Sequence, residues 1–276
     1  MSSVLSKSQQ PIIDRKYKIL NVQFDLVDYR AVMENIDQWR CNGERRFITL
    51  TPPHSVVMCD SDGELSEAID QANVTLPDGV GVILAANLLK YPHRGRVTGP
   101  MLMLKLCEWG RAEGYGHFFY GGFPGVADML AKRLTEKFPG LKVTGAYSPP
   151  FRKLTLEEDA KIIQHINSAR PDVVWVGLGS PKQEKWMVDH VGKIDAAALI
   201  GVGAAFDFHS GRVKWAPTCI RKAGLEWAFR LVTDPKHMWR RNVNSVVFLA
   251  RVLRQSFSGQ PGHNRARSNR KLTIDN

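Results

Sequence analysis

Short runs of β-branched and aromatic residues alternate with longer segments of helical periodicity through most of this 276-residue chain. This alternation constrains the fold most, because strands separated by helices pair in parallel and the crossover helices cover both faces of the sheet. The sequence therefore predicts an α/β fold with a mainly parallel sheet and helices on both faces. The predicted strands are residues 46–51, 117–120, 141–146, 172–177 and 197–202.

Local signals mark where three helices begin. Thr155 and Glu158 form a capping-box pattern that opens a helix over 156–169, because each side chain satisfies a backbone N–H that the helix leaves unpaired. Pro124 opens a helix that runs to about residue 138. Asp234 followed by Pro235 starts a helix that reaches about residue 254.

The positive charge of the chain is confined to its C-terminal quarter. The formal net charge is +11, yet 24 Lys and Arg balance 24 Asp and Glu over residues 1–211, whereas 14 face 3 over residues 212–276. This excess indicates an anionic partner: lipid head groups, diphosphates or nucleic acid. Aromatic residues interleave with the arginines, which suits a membrane surface or single-stranded nucleic acid, and part of the apolar stripe must be core.

These features divide the chain into four parts. We predict a flexible N-terminus over 1–15, an α/β domain over 16–211, a helical, basic, membrane-associating appendage over 212–255 and a disordered tail over 256–276. There is no signal-peptide pattern and no run of about 18 apolar residues, and the four cysteines lack CxxC spacing. We therefore expect a cytoplasmic protein that does not span the bilayer.

Three glycine-rich turns follow predicted strands, at residues 121–125, 177–184 and 201–207. The carboxyl ends of parallel strands line the ligand crevice, and strand-to-helix turns present free backbone N–H groups to phosphate. The second turn suits phosphate best, with Ser180 as the cap, Pro181 in the first helical turn and Lys182 adding charge. Together the turns predict a crevice for a nucleotide diphosphate, although glycine is as often needed for backbone geometry.

Asp78 and Arg96 also occupy turns. On local grounds Asp78 is a turn residue or a helix N-cap, whereas Arg96 suits a bidentate grip on phosphate. Asp60-Ser61-Asp62 spells a metal-binding D-x-D triplet, but its position directly before a helical segment favours an N-cap. The histidines have no metal-ligand spacing, so we predict neither a metal nor another cofactor.

Seven motifs in one order resemble the WecG/TagA/CpsF glycosyltransferase family. They lie at residues 77–79, 96–99, 121–125, 149–151, 176–184, 201–208 and 224–227. The resemblance implies that residues 16–211 form a Rossmann-like catalytic domain for an inverting, metal-independent transfer. It implies that Asp78 is the general base, that Thr49 contacts substrate and that Arg96 neutralises leaving-group charge. The residues assigned to nucleotide and substrate binding are Gly122, Ser180, Lys182, Gln183, Gly203, Asp207, Arg230 and Arg240.

Two positions depart from the family pattern. His237 stands where an arginine is common, in the appendage that closes over the site and carries Arg230 and Arg240. Thr51 replaces the usual asparagine two residues after Thr49. We therefore expect a hexose, such as glucose, or an N-acetylhexosamine as the transferred sugar.

The resemblance implies a UDP-sugar donor and a polyprenyl-diphosphate-linked saccharide acceptor, in bacterial exopolysaccharide or cell-envelope polysaccharide synthesis. The protein would then work on the anionic inner surface of the cell membrane, without nucleic acid as a partner. Two alternatives remain: a non-catalytic nucleic-acid-binding protein that uses the basic tail, and a nicotinamide-dependent enzyme, against which the lack of G-x-G-x-x-G counts. A monomer and a small homo-oligomer both stay open.

Overall fold

The computed structural model describes residues 16–258. The predicted flexible N-terminus at 1–15 and most of the predicted disordered tail, residues 259–276, lie outside the described residues. The strands are β1 (Lys16–Ile19), β2 (Val22–Asp25), β3 (Arg46–Thr51), β4 (Val74–Pro77), β5 (Gly116–Gly121), β6 (Lys142–Tyr147), β7 (Val173–Gly177) and β8 (Ala198–Gly201). The helices are α1 (Tyr29–Cys41), α2 (Pro53–Met58), α3 (Gly63–Asp70), α4 (Val80–Leu88), α5 (Gly99–Ala112), α6 (Val126–Lys137), α7 (Leu156–Ser168), α8 (Lys182–His190), α9 (Ala205–His209), α10 (Thr218–Lys222), α11 (Glu226–Thr233) and α12 (Pro235–Phe257).

Six of these strands form one parallel sheet in the order β4-β3-β8-β7-β5-β6. Strands β1 and β2 pair separately as an antiparallel hairpin. All five predicted strands are present to within one residue at each end. The predicted α/β, Rossmann-like architecture is therefore confirmed.

Three short strands were not predicted from the sequence. Strands β1, β2 and β4 have four residues each, too few to show a clear alternation, and β4 ends in Pro77. Proline cannot donate a ladder hydrogen bond, so it usually argues against a strand. The omission of β4 matters, because Asp78 follows it directly.

The register of the sheet brings the ends of five strands to one edge. Thr51 at the end of β3 lies beside Pro77 of β4, and Gly121 of β5 lies beside Gly177 of β7. Strand β8 ends at Gly201, level with the end of β7. The turns after β3, β4, β5, β7 and β8 therefore meet at the carboxyl edge, where open α/β sheets bind their ligands.

Each face of the sheet has its own hydrophobic cluster. Along β7, Trp175 enters a cluster with α1, α5 and α6, whereas Val174 and Val176 enter a cluster with α7 and α8. Side chains alternate between the two faces along a strand, so a strand covered on both faces reads as a continuous apolar run. The central strands are thus held rigidly beneath the carboxyl edge.

Several predicted helix boundaries are present. Glu158 N donates to Thr155 Oγ1 at 3.2 Å and Thr155 N donates to Glu158 Oε2 at 2.9 Å, which completes the capping box of α7. Asp62 caps α3, as its triplet predicted, by accepting from Leu65 N at 3.0 Å. Helix α12 starts at the predicted position and extends to Phe257.

The C-terminal helix completes a third hydrophobic cluster, which we call the hairpin cluster. Phe248 and Val252 on α12 are fully buried there with residues of the β1–β2 hairpin, α2 and α4. Leu20 N in the hairpin donates to Gln255 Oε1 at 3.1 Å. Full burial of such an apolar side chain contributes about 1.5–3 kcal/mol. Part of the apolar stripe in the C-terminal segment is therefore core, and the domain boundary at residue 211 stays a prediction.

Candidate active site

An open cleft of about 1120 Å³ lies at the carboxyl edge of the sheet. It is lined by the turns that follow β3, β4, β5, β7 and β8 and by residues of α11 and α12. Small-molecule pockets usually have volumes of about 300–1,000 Å³. The cleft therefore has room for a nucleotide with an attached sugar and for part of a second substrate.

Asp78 lies in this cleft, where its backbone N–H donates to the Thr51 carbonyl at 3.4 Å. Its pKa is raised to about 7, chiefly by burial and next by the negative charge of Glu226, while Arg96 and Arg230 act in the opposite direction. A carboxylate with this pKa is partly ionised near neutral pH and accepts a proton more readily than an ordinary aspartate. The residue predicted as the base therefore lies in the cleft, in an environment that suits proton transfer.

Arg96 and Arg230 come to the cleft from different elements. Arg96 lies in the loop between α4 and α5, and its guanidinium donates to the backbone carbonyl of Arg221. Arg230 lies on α11, with its guanidinium carbon 5.3 Å from the centroid of the Phe208 ring. Both predicted arginines are thus available to a negatively charged ligand, whose oxygens suit the planar guanidinium fork.

A third arginine, Arg241 on α12, also lines the cleft. Its pKa is lowered by burial and then by the positive charge of Arg230, whereas Asp234 acts in the opposite direction. His54 at the start of α2 has its pKa lowered to about 3, by burial and then by the charges of Arg241 and Arg230. His54 is therefore neutral at physiological pH. Arg230 and Arg241 repel each other, and a bound anion would relieve that repulsion.

The structure does not place Arg240, a residue chosen from the sequence, in the cleft. Its side chain is exposed and is not among the residues that line the cleft, whereas its neighbour Arg241 is. Successive residues on an α-helix point about 100° apart, so one residue of the pair faces the cleft while the other faces solvent. The amphipathic pattern of α12 would have indicated Arg241, had the buried face of the helix been known.

Gly122 and Gly203 line the cleft with positive φ angles of 75° and 48°. A Cβ atom on Gly122 would lie 2.7 Å from Val126 Cγ1, and one on Gly203 would lie 3.4 Å from Gln183 Oε1. Positive φ favours glycine at both positions, and at Gly122 close packing also excludes a side chain. The missing side chains also leave the backbone of these turns open to the cleft.

Ser180 does not cap α8, contrary to the sequence prediction. The N-cap position is taken by Pro181, without a side-chain cap bond, because the helix starts one residue later than expected. The hydroxyl of Ser180 instead lies 3.2 Å from that of Ser55 on α2. Ser180 and the exposed Lys182 both still line the cleft, so their proximity to a ligand stays a prediction.

Gln183 is the buried polar residue of this turn. Its Nε2 donates to Glu184 Oε1 at 3.0 Å, while its Oε1 has no hydrogen-bond partner among the described residues. An unpaired buried acceptor costs free energy, which a ligand donor would recover. Asp207, also predicted to bind nucleotide, lines the cleft and pairs with Arg212 at 2.8 Å.

An aromatic stack on one side of the cleft was missed by sequence reasoning. Trp186 stacks between Tyr120 and His190, with ring centroids 4.4 Å and 4.1 Å away. His190 Nε2 lies 3.0 Å from Asp159 Oδ1. All four residues line the cleft. The available signal was helical spacing, because Trp186 and His190 follow Gln183 by three and seven positions on the same face of α8.

Thr49 lies beneath the cleft rather than in it. Its side chain is fully buried on β3, 3.4 Å from the hydroxyl of Thr51, and neither threonine is among the lining residues. The neighbouring Leu50 and Pro52 do line the cleft. The structure therefore does not place Thr49 among the residues that a ligand in the cleft could contact, because its side chain is fully buried.

No three His, Cys, Asp or Glu side chains among residues 16–258 cluster as a metal site would require. Asp62 of the D-x-D triplet is engaged by Lys185, at 2.9 Å. Metal independence stays a prediction. Over the same residues, none of the helices is both long and apolar enough to cross a membrane.

Fold and cleft together describe an α/β protein with a carboxyl group of raised pKa and several arginines at the carboxyl edge of its sheet. The sequence profile of the Glycosyl transferase WecG/TagA/CpsF family matches residues 17–262. The chain belongs to this family and is a glycosyltransferase. This membership leaves the nucleic-acid-binding alternative without support.

Two similar proteins come from Staphylococcus aureus, strains NCTC 8325 / PS 47 and MRSA252. Both are named N-acetylglucosaminyldiphosphoundecaprenol N-acetyl-beta-D-mannosaminyltransferase. Each is 29% identical to this chain over 227 residues, which cover 82% of this chain and 87% of the relative. The similarity thus spans most of both chains.

Proposed function

We propose that this glycosyltransferase moves a hexose or an N-acetylhexosamine from a UDP-sugar to a polyprenyl-diphosphate-linked saccharide, with inversion at the anomeric carbon. The observation that carries the proposal is Asp78, with a pKa of about 7, in one cleft with Arg96, Arg230 and Arg241. The acceptor class is supported by the undecaprenol-linked saccharide in the names of the S. aureus relatives. The product would enter exopolysaccharide or cell-envelope polysaccharide synthesis.

In the proposed reaction, a carboxylate oxygen of Asp78 takes the proton from the attacking hydroxyl of the acceptor. That hydroxyl oxygen forms a bond to the anomeric carbon of the donor sugar from one face. The bond from the anomeric carbon to the diphosphate oxygen breaks on the opposite face, and UDP leaves with the electron pair. A base contributes most when its pKa lies near the working pH, which supports this role for Asp78.

The negative charge that develops on UDP needs cationic partners. Arg230 and Arg241 are partly buried in the cleft, and Lys182 lies at the start of α8. Guanidinium groups bind phosphate oxygens in a bidentate manner, and charge interactions strengthen where water is displaced. The unpaired Oε1 of Gln183 and the carboxylate of Asp207 would accept hydrogen bonds from the uracil or the ribose.

An apolar surface on α12 supports attachment to the inner face of the membrane. Trp239, Val246 and Phe257 are 66%, 67% and 87% exposed. The arginines Arg240 and Arg254 are exposed on the same helix. Exposed apolar side chains beside cations suit the boundary between lipid head groups and acyl chains. One face of α12 would thus complete the core while another contacts lipid.

Release of UDP tests the proposed reaction. UDP is measured from a panel of UDP-sugars with and without a short-chain lipid-diphosphate saccharide. We expect acceptor-dependent release by the intact protein and a loss of about 10²–10⁴-fold in Asp78→Asn, because the general base is removed. Asp128→Asn is the matched control, since Asp128 is exposed on α6 and does not line the cleft. Undiminished turnover in Asp78→Asn would contradict the assignment of Asp78 as the general base.

Flotation with liposomes tests the membrane contact. The intact protein should float with vesicles that contain anionic lipid, and the double variant Val246→Ser/Phe257→Ser should stay in solution. Met129→Ser is the control, since Met129 is 48% exposed on α6, away from the C-terminal helices. Equal flotation of the double variant and the control would argue against α12 as the membrane surface.

A further inference from the structure

Tyr29 connects the start of α1 to residues 89–98, the segment between α4 and α5 that we call the Arg96 loop. The hydroxyl of Tyr29 accepts a hydrogen bond from Thr98 N at 2.9 Å and lies 3.3 Å from Thr98 Oγ1. One side chain therefore joins two segments that lie 69 residues apart in sequence. Tyr29 does not line the cleft, so any contribution that it makes to the reaction is indirect.

Thr98 does not act as an ordinary helix cap. It holds the N-cap position of α5, yet its side chain makes no cap hydrogen bond, although threonine at this position usually accepts one from the first turn. Its hydroxyl and its backbone N–H both contact the Tyr29 hydroxyl instead. Burial raises the pKa of that hydroxyl, so it keeps its proton at physiological pH. It can therefore accept from Thr98 N and donate to Thr98 Oγ1 at the same time.

Helix α1 is a firm point of attachment for the Arg96 loop. Val32 and Ile36 of this helix are fully buried in one of the hydrophobic clusters of the sheet. The loop itself contains no helix or strand. Segments without regular structure depend on a few specific contacts to keep one position. The bond from Tyr29 therefore attaches an irregular segment to a helix that is part of the core.

Two residues of the loop, Arg96 and Thr98, line the cleft. Between them, Val97 N donates to the Pro77 carbonyl at 3.2 Å. The guanidinium of Arg96 donates to the Arg221 carbonyl at the end of α10. The backbone that follows Arg96 is thus held by β4 and by α1.

We propose that Tyr29 is a positioning residue that fixes the Arg96 loop and so sets where Arg96 meets the leaving diphosphate. This inference rests on the proposed function, in which Arg96 neutralises leaving-group charge. Without the Tyr29 hydroxyl, the N–H and the hydroxyl of Thr98 lose their partner. A guanidinium grips phosphate oxygens in a fixed geometry, and a small misplacement of a group that acts in the transition state lowers the rate.

Tyr29→Phe tests the proposal, because it removes one oxygen and keeps the ring. Tyr115→Phe is the matched control: Tyr115 is fully buried, its hydroxyl donates to Asp37 at 2.8 Å, and it does not line the cleft. This control reports what the loss of a tyrosine hydroxyl does to stability alone. Arg96→Ala and the double variant Tyr29→Phe/Arg96→Ala complete a double-mutant cycle.

Two readouts are made on the full chain. The first, without substrate, is hydrogen exchange of the Arg96 loop, followed by mass spectrometry. We expect faster exchange there in Tyr29→Phe but not in Tyr115→Phe, because Thr98 N loses its acceptor only in the former. The second is acceptor-dependent release of UDP from a UDP-sugar. We expect kcat/KM to fall about 2–10-fold in Tyr29→Phe, the range that one neutral hydrogen bond supports, with no further loss when Tyr29→Phe is added to Arg96→Ala.

Unchanged exchange of the Arg96 loop in Tyr29→Phe would overturn the proposal. So would equal losses of kcat/KM in Tyr29→Phe and Tyr115→Phe, or losses from Tyr29→Phe and Arg96→Ala that multiply in the double variant. The exchange readout needs no substrate, so it separates this inference from the proposed function. Faster loop exchange with no detectable transfer by the intact protein would count against the proposed function, whereas transfer that Tyr29→Phe leaves unchanged would count against the role of Tyr29 alone.

Discussion

Phe248→Ala tests the anchoring of the C-terminal helices. Phe248 is fully buried in the hairpin cluster, which also contains the fully buried Val56 of α2 and Val82 of α4. Truncation of a buried phenylalanine removes its transfer free energy and leaves a cavity, which costs about 3–5 kcal/mol. For a domain of this size each kcal/mol corresponds to about 2–4 °C in Tm, so we expect a loss of about 6–20 °C.

The assay is urea and thermal unfolding, followed by circular dichroism, with hydrogen exchange of α12 measured in parallel. Phe257→Ala is the matched control, because Phe257 is 87% exposed on the same helix and should change stability by less than about 0.5 kcal/mol. If α12 detaches as a separate unit, its amides should exchange faster while the sheet stays protected. A Phe248→Ala protein with unchanged stability and unchanged exchange would refute the anchoring role.

Three further predictions concern the cleft. The raised pKa of Asp78 means that its base form is lost as pH falls, so kcat/KM should drop below about pH 7, and a profile that stays flat down to pH 5 would contradict this assignment. Arg241→Ala should reduce kcat/KM by about 10–100-fold, as expected for a lost charged hydrogen bond. Arg240→Ala should leave UDP-sugar turnover in detergent unchanged. A larger loss in Arg240→Ala than in Arg241→Ala would indicate that Arg240, and not Arg241, binds the substrate. Gly122→Ala should destabilise the fold more than Gly114→Ala, because both have positive φ but only Gly122 also lacks space for a Cβ; equal unfolding midpoints would contradict the packing argument.

Local signals predicted the frame of the molecule. Strand β3 and the capping box of α7 were predictable because their determinants lie within a few residues: a β-branched run in one, Thr155 and Glu158 in the other. The basic C-terminal quarter was visible by counting charges. The hairpin and β4 were not predictable, since four-residue strands have too little pattern to be distinguished from loops.

The residues of the candidate site were also predicted only in part. Asp78, Arg96 and Gln183 were found because they stand in motifs whose order along the chain resembles a family, and the structure places all three in one cleft. Thr49 was chosen from a further position of the family pattern, outside these motifs, and its side chain is fully buried and does not line the cleft. A motif identifies a residue, but only the direction of its side chain decides whether it meets a ligand.

By itself, the sequence determined the parallel α/β sheet and the carboxyl-edge location of the cleft, because strand length, helix caps and turns are set by near neighbours, whereas Asp78 was assigned to the site only through the family resemblance. Only the tertiary structure decided which face of α12 turns inward, and hence that Arg241 rather than Arg240 lines the cleft. It alone placed Glu226 in the same cleft as Asp78, across about 150 residues of chain. Such contacts depend on how separate helices pack, and the energy of that packing is spread over buried side chains that carry no local signal.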